Sequence, residues 1–295
     1  MTPVIEVENL TKHYRKVRAV DSVSLSLSGP GIHGLLGRNG AGKTTLMQLI
    51  AGQEFATTGH IRLFGANPVE NAAVLRRTCF IKESQVYPEG LRGRHVLATG
   101  PWFYENWSHD LAAQLVRALE VPVDRQIKKM SRGQRTALGA TIAIASRAEL
   151  TLLDEPYAGL DPVARRLFYD ALLADYTEFP RTILVSTHLV DELAGLLERV
   201  IVMDKGRILI DDDADTLRGS ATALAGRAGD VAAFTAGREV LSHATLGGLA
   251  TATVADLSTK DRALALSAGL ELSPVSLQDL IVHRTGLELT KEMAS

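Results

Sequence analysis

Cysteine is nearly absent from this 295-residue chain, with Cys79 the single one. No internal disulfide can form, which suits a reducing compartment. Charge of one sign is missing too. The chain carries 32 Lys and Arg against 34 Asp and Glu, a net charge of -2. No strong field for nucleic acid or anionic lipid follows from that balance. Long apolar runs are also lacking. A membrane span needs ~18 to 20 apolar residues, and stretches such as Ala140 to Ala145 are far shorter. The opening MTPVIEVENL has acidic residues and no apolar core, so it does not read as a secretory signal. The remainder is ordinary globular composition, 46% hydrophobic and 22% charged. That is enough apolar material for a core, in one large domain or in a large and a small one.

The most informative stretch is Gly37-Arg38-Asn39-Gly40-Ala41-Gly42-Lys43-Thr44, followed by Thr45. It fits the phosphate-loop pattern G-x-x-x-x-G-K-[ST] at every fixed position. The glycines let backbone approach phosphate oxygens, and successive N–H groups form a concave nest for anions. Lys43 can reach the β- and γ-phosphates, and the Thr44 hydroxyl can ligate Mg²⁺. The context agrees with the motif. An apolar run, Gly31 to Leu36, reads as a buried strand before the loop, and a helical pattern, Thr44 to Ala51, follows it.

Alternation marks Val4 to Val7 and Val23 to Leu27 as half-buried strands. Tyr14 lies between them, either a plain surface tyrosine or a ring that stacks on a purine. Gly59 to Phe64 and Cys79 to Ile81 read as further strands. Gln85 follows the second, as a solvated strand end or as a ligand for Mg²⁺ or water. Between 88 and 130, helices are expected at Arg94 to Thr99, Leu111 to Leu119 and Val123 to Lys129, broken at Pro101 and Pro122. Trp102, Phe103, Tyr104 and Trp107 form either a packing cluster or a docking surface. Ser131 is a natural N-cap for a helix over Thr136 to Ser146.

Leu150 to Asp154 reads as a buried strand ending in two adjacent carboxylates, Asp154 and Glu155. Side chains alternate across a strand. Asp154 is therefore expected to face the phosphate loop and the magnesium shell, with Glu155 on the next face to orient or deprotonate a water. A turn at Ala158 to Pro162 leads into a helix, Val163 to Ala174. The strand Ile183 to Val185 runs into His188, which opens a helix at Leu189 to Leu197. Val200 to Met203 and Arg207 to Ile210 form a hairpin around Lys205-Gly206.

Taken in order, these segments resemble the nucleotide-binding subunit of an ATP-binding cassette (ABC) transporter over about residues 4 to 212. The resemblance implies an α/β P-loop NTPase (RecA-like) core with an antiparallel β subdomain and an inserted helical subdomain at about 88–146. It implies ATP and Mg²⁺ as ligands and an ATPase activity coupled to transport. Tyr14 would stack on adenine. Thr44, Gln85 and Asp154 would serve the metal, Glu155 would be the general base and His188 would sense the γ-phosphate. Ser131, Gly133 and Gln134 form the signature segment and would meet ATP bound on a second cassette, across which Asp161 communicates. Arg132 stands where the family usually has glycine. That change and the Trp102 to Trp107 segment resemble the bacterial ABC-2-type exporter branch. The implied partners are a second copy or a paired ABC subunit and an integral membrane permease, not nucleic acid. The implied location is cytoplasmic, peripheral on the inner face of the membrane. A soluble cassette ATPase acting on another macromolecule is the alternative. Against it stand the single phosphate loop, the lack of sustained heptads and the near-neutral charge.

Residues 213–295 carry no nucleotide motif. A small α+β appendage is expected there, with strands at Asp230 to Phe234 and Leu249 to Val254. Helices are expected at Arg238 to His243 and Lys260 to Ala268, with a further element at Leu280 to His283.

Overall fold

The computed structural model describes residues 2–83, 85–88 and 90–286. The chain opens with β1 (Ile5–Tyr14), β2 (Val17–Leu27) and β3 (Gly31–Leu36), then α1 (Lys43–Ile50), β4 (Thr58–Leu63), α2 (Ala72–Leu75) and β5 (Thr78–Ile81). Three helices follow, α3 (Gly93–Phe103), α4 (His109–Ala118) and α5 (Arg132–Ser146). Next come β6 (Leu150–Asp154), α6 (Pro162–Glu178), β7 (Thr182–Thr187), α7 (Val190–Leu193), β8 (Arg199–Asp204) and β9 (Arg207–Asp213). The chain continues through α8 (Ala214–Gly219), β10 (Ala221–Arg227), α9 (Ala228–Thr235), β11 (Val240–Leu246), β12 (Leu249–Ala255), α10 (Thr259–Ser267), β13 (Glu271–Pro274) and α11 (Leu277–Thr285).

Two compact units result. One holds the described residues up to His188 together with Ile201–Ile210. The other holds Leu189–Val200 and the described residues from Asp211 onward. The segment 189–200, read from sequence as part of the cassette, thus clusters with the appendage.

In the first unit a six-stranded sheet runs in the order β5-β6-β7-β3-β8-β9, and β5, β6, β7 and β3 are parallel neighbours. Every residue of β3, β6 and β7 is buried. Strands covered on both faces read as continuous apolar runs, which is why Gly31 to Leu36 lacks alternation. Because these strands are parallel, their carboxyl ends lie side by side, the usual place for a ligand in such sheets. Leu36 pairs with Thr187 and Asp154 with Ser186 at that edge. A second, antiparallel sheet, β2-β1-β4, does alternate, and its buried residues join α1 in one core with Leu35, Leu152 and Leu184.

The helical segment departs from the sequence expectation. Helix α3 does not break at Pro101 but runs through it to Phe103. Proline in the last turn removes a single N–H, and the helix ends two residues later anyway. Val123 to Lys129 forms no α-helix. Only Ile127–Lys129 makes a 3₁₀ turn, since Val123 O accepts the Arg94 N–H and Gln126 bridges to Arg92. The aromatic cluster divides. Trp107 lies over Gly100 and Tyr104 is half-buried, while Trp102 and Phe103 are 73% and 59% exposed.

The second unit contains the sheet β11-β12-β10-β13, all antiparallel, with α9 and α10 packed on a core that includes Leu224, Val231, Phe234 and Leu270. Two expectations are reversed here. Asp230 to Phe234 is helical, because Val231 and Phe234, three apart, share one buried face of α9. Arg238 to His243 is not a helix but enters β11, which pairs with β12 across the turn Gly247-Gly248. A two-glycine link between strands is a hairpin signal.

Candidate functional site

The loop after β3 borders a cavity of about 520 Å³ lined by Arg38 to Thr45 and by Val17, Arg18, Ala19, Glu83, Glu155 and Lys205. Gly42 has φ +107, and a Cβ there would stand 2.3 Å from Ala19 O, so only glycine fits the turn into α1. Lys43 opens that helix and is buried. Its ammonium donates to Gly37 O at 2.7 Å and to Arg38 O at 3.3 Å and faces Glu155 Oε1 at 3.6 Å. Burial pulls its pKa below the usual lysine value, against the opposing charges of Glu155 and Asp154.

Asp154 ends β6 with both carboxylate oxygens held. Thr44 Oγ1 donates to Oδ2 at 2.7 Å, and Ser186 Oγ donates to Oδ1 at 2.5 Å. Glu155 follows, but strand alternation does not aim it. The strand stops at Asp154, and Glu155 takes the left-handed conformation, φ +49, with its N–H on Ser186 O. A non-glycine residue held there is strained, a feature that clusters at working sites. His188 Nδ1 lies 2.9 Å from Glu155 Oε2, and the Tyr157 hydroxyl donates to the same oxygen. Burial pushes the Glu155 carboxyl up. The hydrogen bonds from His188 and Tyr157 and the charges of His188 and Lys43 outweigh it, so the net shift is downward.

Lys43, Thr44, Asp154, Glu155 and His188 are therefore gathered at one edge. Gln85 shares a small cleft with Asp154, Glu155 and Glu83. Tyr14 is not among the cavity-lining residues. It ends β1 at 40% exposure with the Lys12 ammonium 4.8 Å from its ring centre, and Val17 lines the cavity instead. Ser131, Gly133 and Gln134 lie outside the cavity as well. They form the start of α5, where Ser131 Oγ accepts the Gln134 N–H at 3.2 Å and the Gln134 side chain returns to the Ser131 N–H at 3.1 Å. Arg132 forms an ion pair with Glu83. The sequence reading gave no part to Tyr157, Glu83 or Val17. Only the place of Tyr157 two residues beyond Glu155 could have drawn notice to it.

The phosphate loop, its strand and the strand-end carboxylates define an α/β phosphate-loop nucleoside triphosphatase. The ABC transporter family model matches residues 20–158. The bacitracin transport ATP-binding protein BcrA of Enterococcus faecalis is 34% identical over 224 residues, which cover 71% of this chain and 69% of that protein. The daunorubicin/doxorubicin resistance ATP-binding protein DrrA of Streptomyces peucetius is 32% identical over 225 residues, covering 74% and 68%. A solved ATP-binding subunit of an ABC transporter shares the fold, with a TM-score of 0.65 at 22% identity over 73% of this chain and 92% of that one. The chain belongs to the ATP-binding proteins of ABC transporters, and it is an ATPase. Among the described residues, no helix is long and apolar enough to cross a membrane.

Proposed function

We propose that this chain drives an exporter's membrane permease, with two cassettes closing head-to-tail around ATP and separating after hydrolysis. The observation that carries the catalytic part is the divided Glu155 carboxylate. Oε2 is tied to His188 and Tyr157, whereas Oε1 faces Lys43 at 3.6 Å and accepts no hydrogen bond from the described residues. Oε1 takes a proton from water as the water oxygen attacks the γ-phosphorus. The bond from that phosphorus to the β–γ bridging oxygen breaks, and ADP leaves with the electron pair. Lys43 turns from its loop carbonyls to the phosphates, and His188 reads the γ-phosphate. Positioning and charge supply most of the rate in such transfers.

The residues fit Mg²⁺. Among the described residues no group of three His, Cys, Asp or Glu gathers for a metal cage. Mg²⁺ instead takes hard oxygens, few from protein and the rest from phosphates and water. The Thr44 hydroxyl, Asp154 and the Gln85 amide would hold it, and the ion would neutralise charge on the phosphates.

Pairing is supported by the separation within one chain. The signature residues Ser131, Gly133 and Gln134 do not line the cavity that Lys43 lines, so a second copy brings them to the nucleotide. Export is favoured by the drug resistance named for DrrA and by the Trp102 to Trp107 segment, which resembles the exporter branch. Trp102 and Phe103, side by side and exposed, are the face assigned to the permease. The test is Glu155→Gln with ATP and Mg²⁺. Loss of turnover with retained ATP binding and a doubled mass by light scattering is expected. A monomer at saturating ATP overturns the pairing, and hydrolysis at the wild-type rate overturns the base.

A further inference from the structure

The family assignment gives no task to the hydroxyl of Tyr157, which is buried against the Glu155 carboxylate. Tyr157 is 3% exposed and sits in the turn after Glu155. Its hydroxyl lies against four atoms. It donates to Glu155 Oε2, lies 2.7 Å from Thr187 Oγ1, accepts the His188 backbone N–H at 3.2 Å and stands 3.3 Å from His188 Nδ1. A phenol has one proton to give and two lone pairs. The proton goes to the carboxylate, which can only accept. The lone pairs are then met by the His188 N–H and the Thr187 hydroxyl. That assignment also makes His188 Nδ1 a donor to Glu155, since Oε2 accepts from both.

From this arrangement we infer that Tyr157 is a positioning residue for hydrolysis: its hydroxyl fixes Glu155 Oε2 and the start of the His188 loop together, leaving Oε1 as the oxygen turned to the attacking water. The inference rests on the reading of Glu155 as the base. It adds a physical reason why a carboxylate on a left-handed turn keeps one orientation. A free carboxylate rotates about its last bond and presents either oxygen, whereas two donors on Oε2 remove that freedom. The same hydroxyl binds the ends of β6 and β7 to one another, so the base and the γ-phosphate sensor move as one body. The ring contributes too, edge-on to the His188 imidazole at 5.8 Å between centroids, with the Arg165 guanidinium 5.4 Å from its centre. Burial and the neighbouring Glu155 charge push the Tyr157 hydroxyl far above the usual tyrosine range. It therefore stays protonated and remains a donor.

The experiment compares the full chain with Tyr157→Phe, Glu155→Gln and the double variant, reading steady-state ATPase, single-turnover hydrolysis and affinity for a fluorescent ATP analogue. Phenylalanine keeps the ring and its contacts and deletes only the hydroxyl. Tyr157→Phe is expected to lower kcat roughly 10- to 100-fold, the scale of a misplaced reacting group, with KM and analogue affinity unchanged. In the Glu155→Gln background the same substitution is expected to change the residual rate little, because the group it positions is gone. Wild-type kcat in Tyr157→Phe overturns the inference, and so does an equal loss in both backgrounds, which marks a packing role. A wild-type rate in Glu155→Gln alone overturns the base reading itself and is distinguishable from either result. Should Tyr157→Phe fail to fold, Thr187→Val removes the neighbouring hydroxyl on a β-branched, isosteric side chain. It is expected to lower kcat at constant analogue affinity, and an unchanged kcat there overturns the network.

Discussion

The Thr44 hydroxyl donates to Asp154 Oδ2 at 2.7 Å, joining residues 110 apart in the chain. This bond ties the first turn of α1 to the end of β6, and Ser186 holds the other Asp154 oxygen from β7. The carboxylate at the end of β6 is thus held by α1 on one oxygen and by β7 on the other. Asp154→Asn keeps the shape and replaces one acceptor oxygen with a donor aimed at the Thr44 or Ser186 hydroxyl. The half-saturating Mg²⁺ concentration for ATPase activity is expected to rise about 10- to 100-fold, the usual cost of losing a group that orients or holds a metal. An unchanged Mg²⁺ titration removes Asp154 from the metal shell.

Lys43 gives a second test. Its ammonium already accepts confinement among Gly37 O, Arg38 O and Glu155 Oε1. The proposed turn toward phosphate would exchange these partners for a stronger charge. Lys43→Ala is expected to weaken ATP binding by about 2 kcal/mol, roughly 30-fold in Kd, the scale of a charge-assisted hydrogen bond. Fluorescence titration with an ATP analogue measures it, and equal affinity for wild type and variant counts against the phosphate loop.

How much of this was legible in the sequence depends on the kind of signal. The loop at Gly37 to Thr44 and the strand before it could be read because a fixed spacing and a continuous apolar run each have one physical cause. Asp154 could be read for the same reason, as the end of a buried strand. Glu155 does lie beside Asp154 at the site's edge, but strand alternation is not what aims it: β6 stops at Asp154 and a left-handed turn at Glu155 sets its direction. The appendage was harder. Val231 and Phe234 fit either a strand or a helix over so short a run, and tertiary packing decided for the helix. Tyr157 left no periodic trace at all. Its partners, Thr187 and His188, lie 30 residues and more away and meet it only once β6 and β7 pair.

Gly133 separates two roles that a signature substitution normally confounds. A Cβ at Gly133 would stand 2.3 Å from Gly159 O of the same chain. Backbone cannot yield as a flexible side chain does, so Gly133→Ala is expected to lower the melting temperature even without nucleotide. A clash of this kind costs about 1 to 3 kcal/mol. Thermal unfolding of the nucleotide-free chain checks it. An unchanged melting temperature means that the Gly159 loop moves freely, and substitution at Gly133 then tests only the proposed contact with a nucleotide on a second copy.

Asp21 links β2 to β9 and sets an acid limit on stability. Its carboxylate takes Arg207 Nε at 2.6 Å and Arg18 Nη1 at 2.7 Å, and its N–H donates to Gly206 O at 2.8 Å. The Arg207 hydrogen bond, helped by Arg18, holds the carboxyl below its ordinary 3.8. A carboxyl depressed in the folded state binds fewer protons there than in the unfolded chain. Its contribution is therefore complete above the unfolded value and lost as pH falls through the folded one. Asp21→Asn is expected to reduce stability by a constant amount at neutral and mildly acidic pH. The gap from wild type then narrows as the pH drops below 3.8. Urea denaturation across that range measures it. A gap that stays constant into strong acid means that the loss comes from the pH-independent misfit of the amide NH₂ against the two arginines, and that the Asp21 charge contributes nothing.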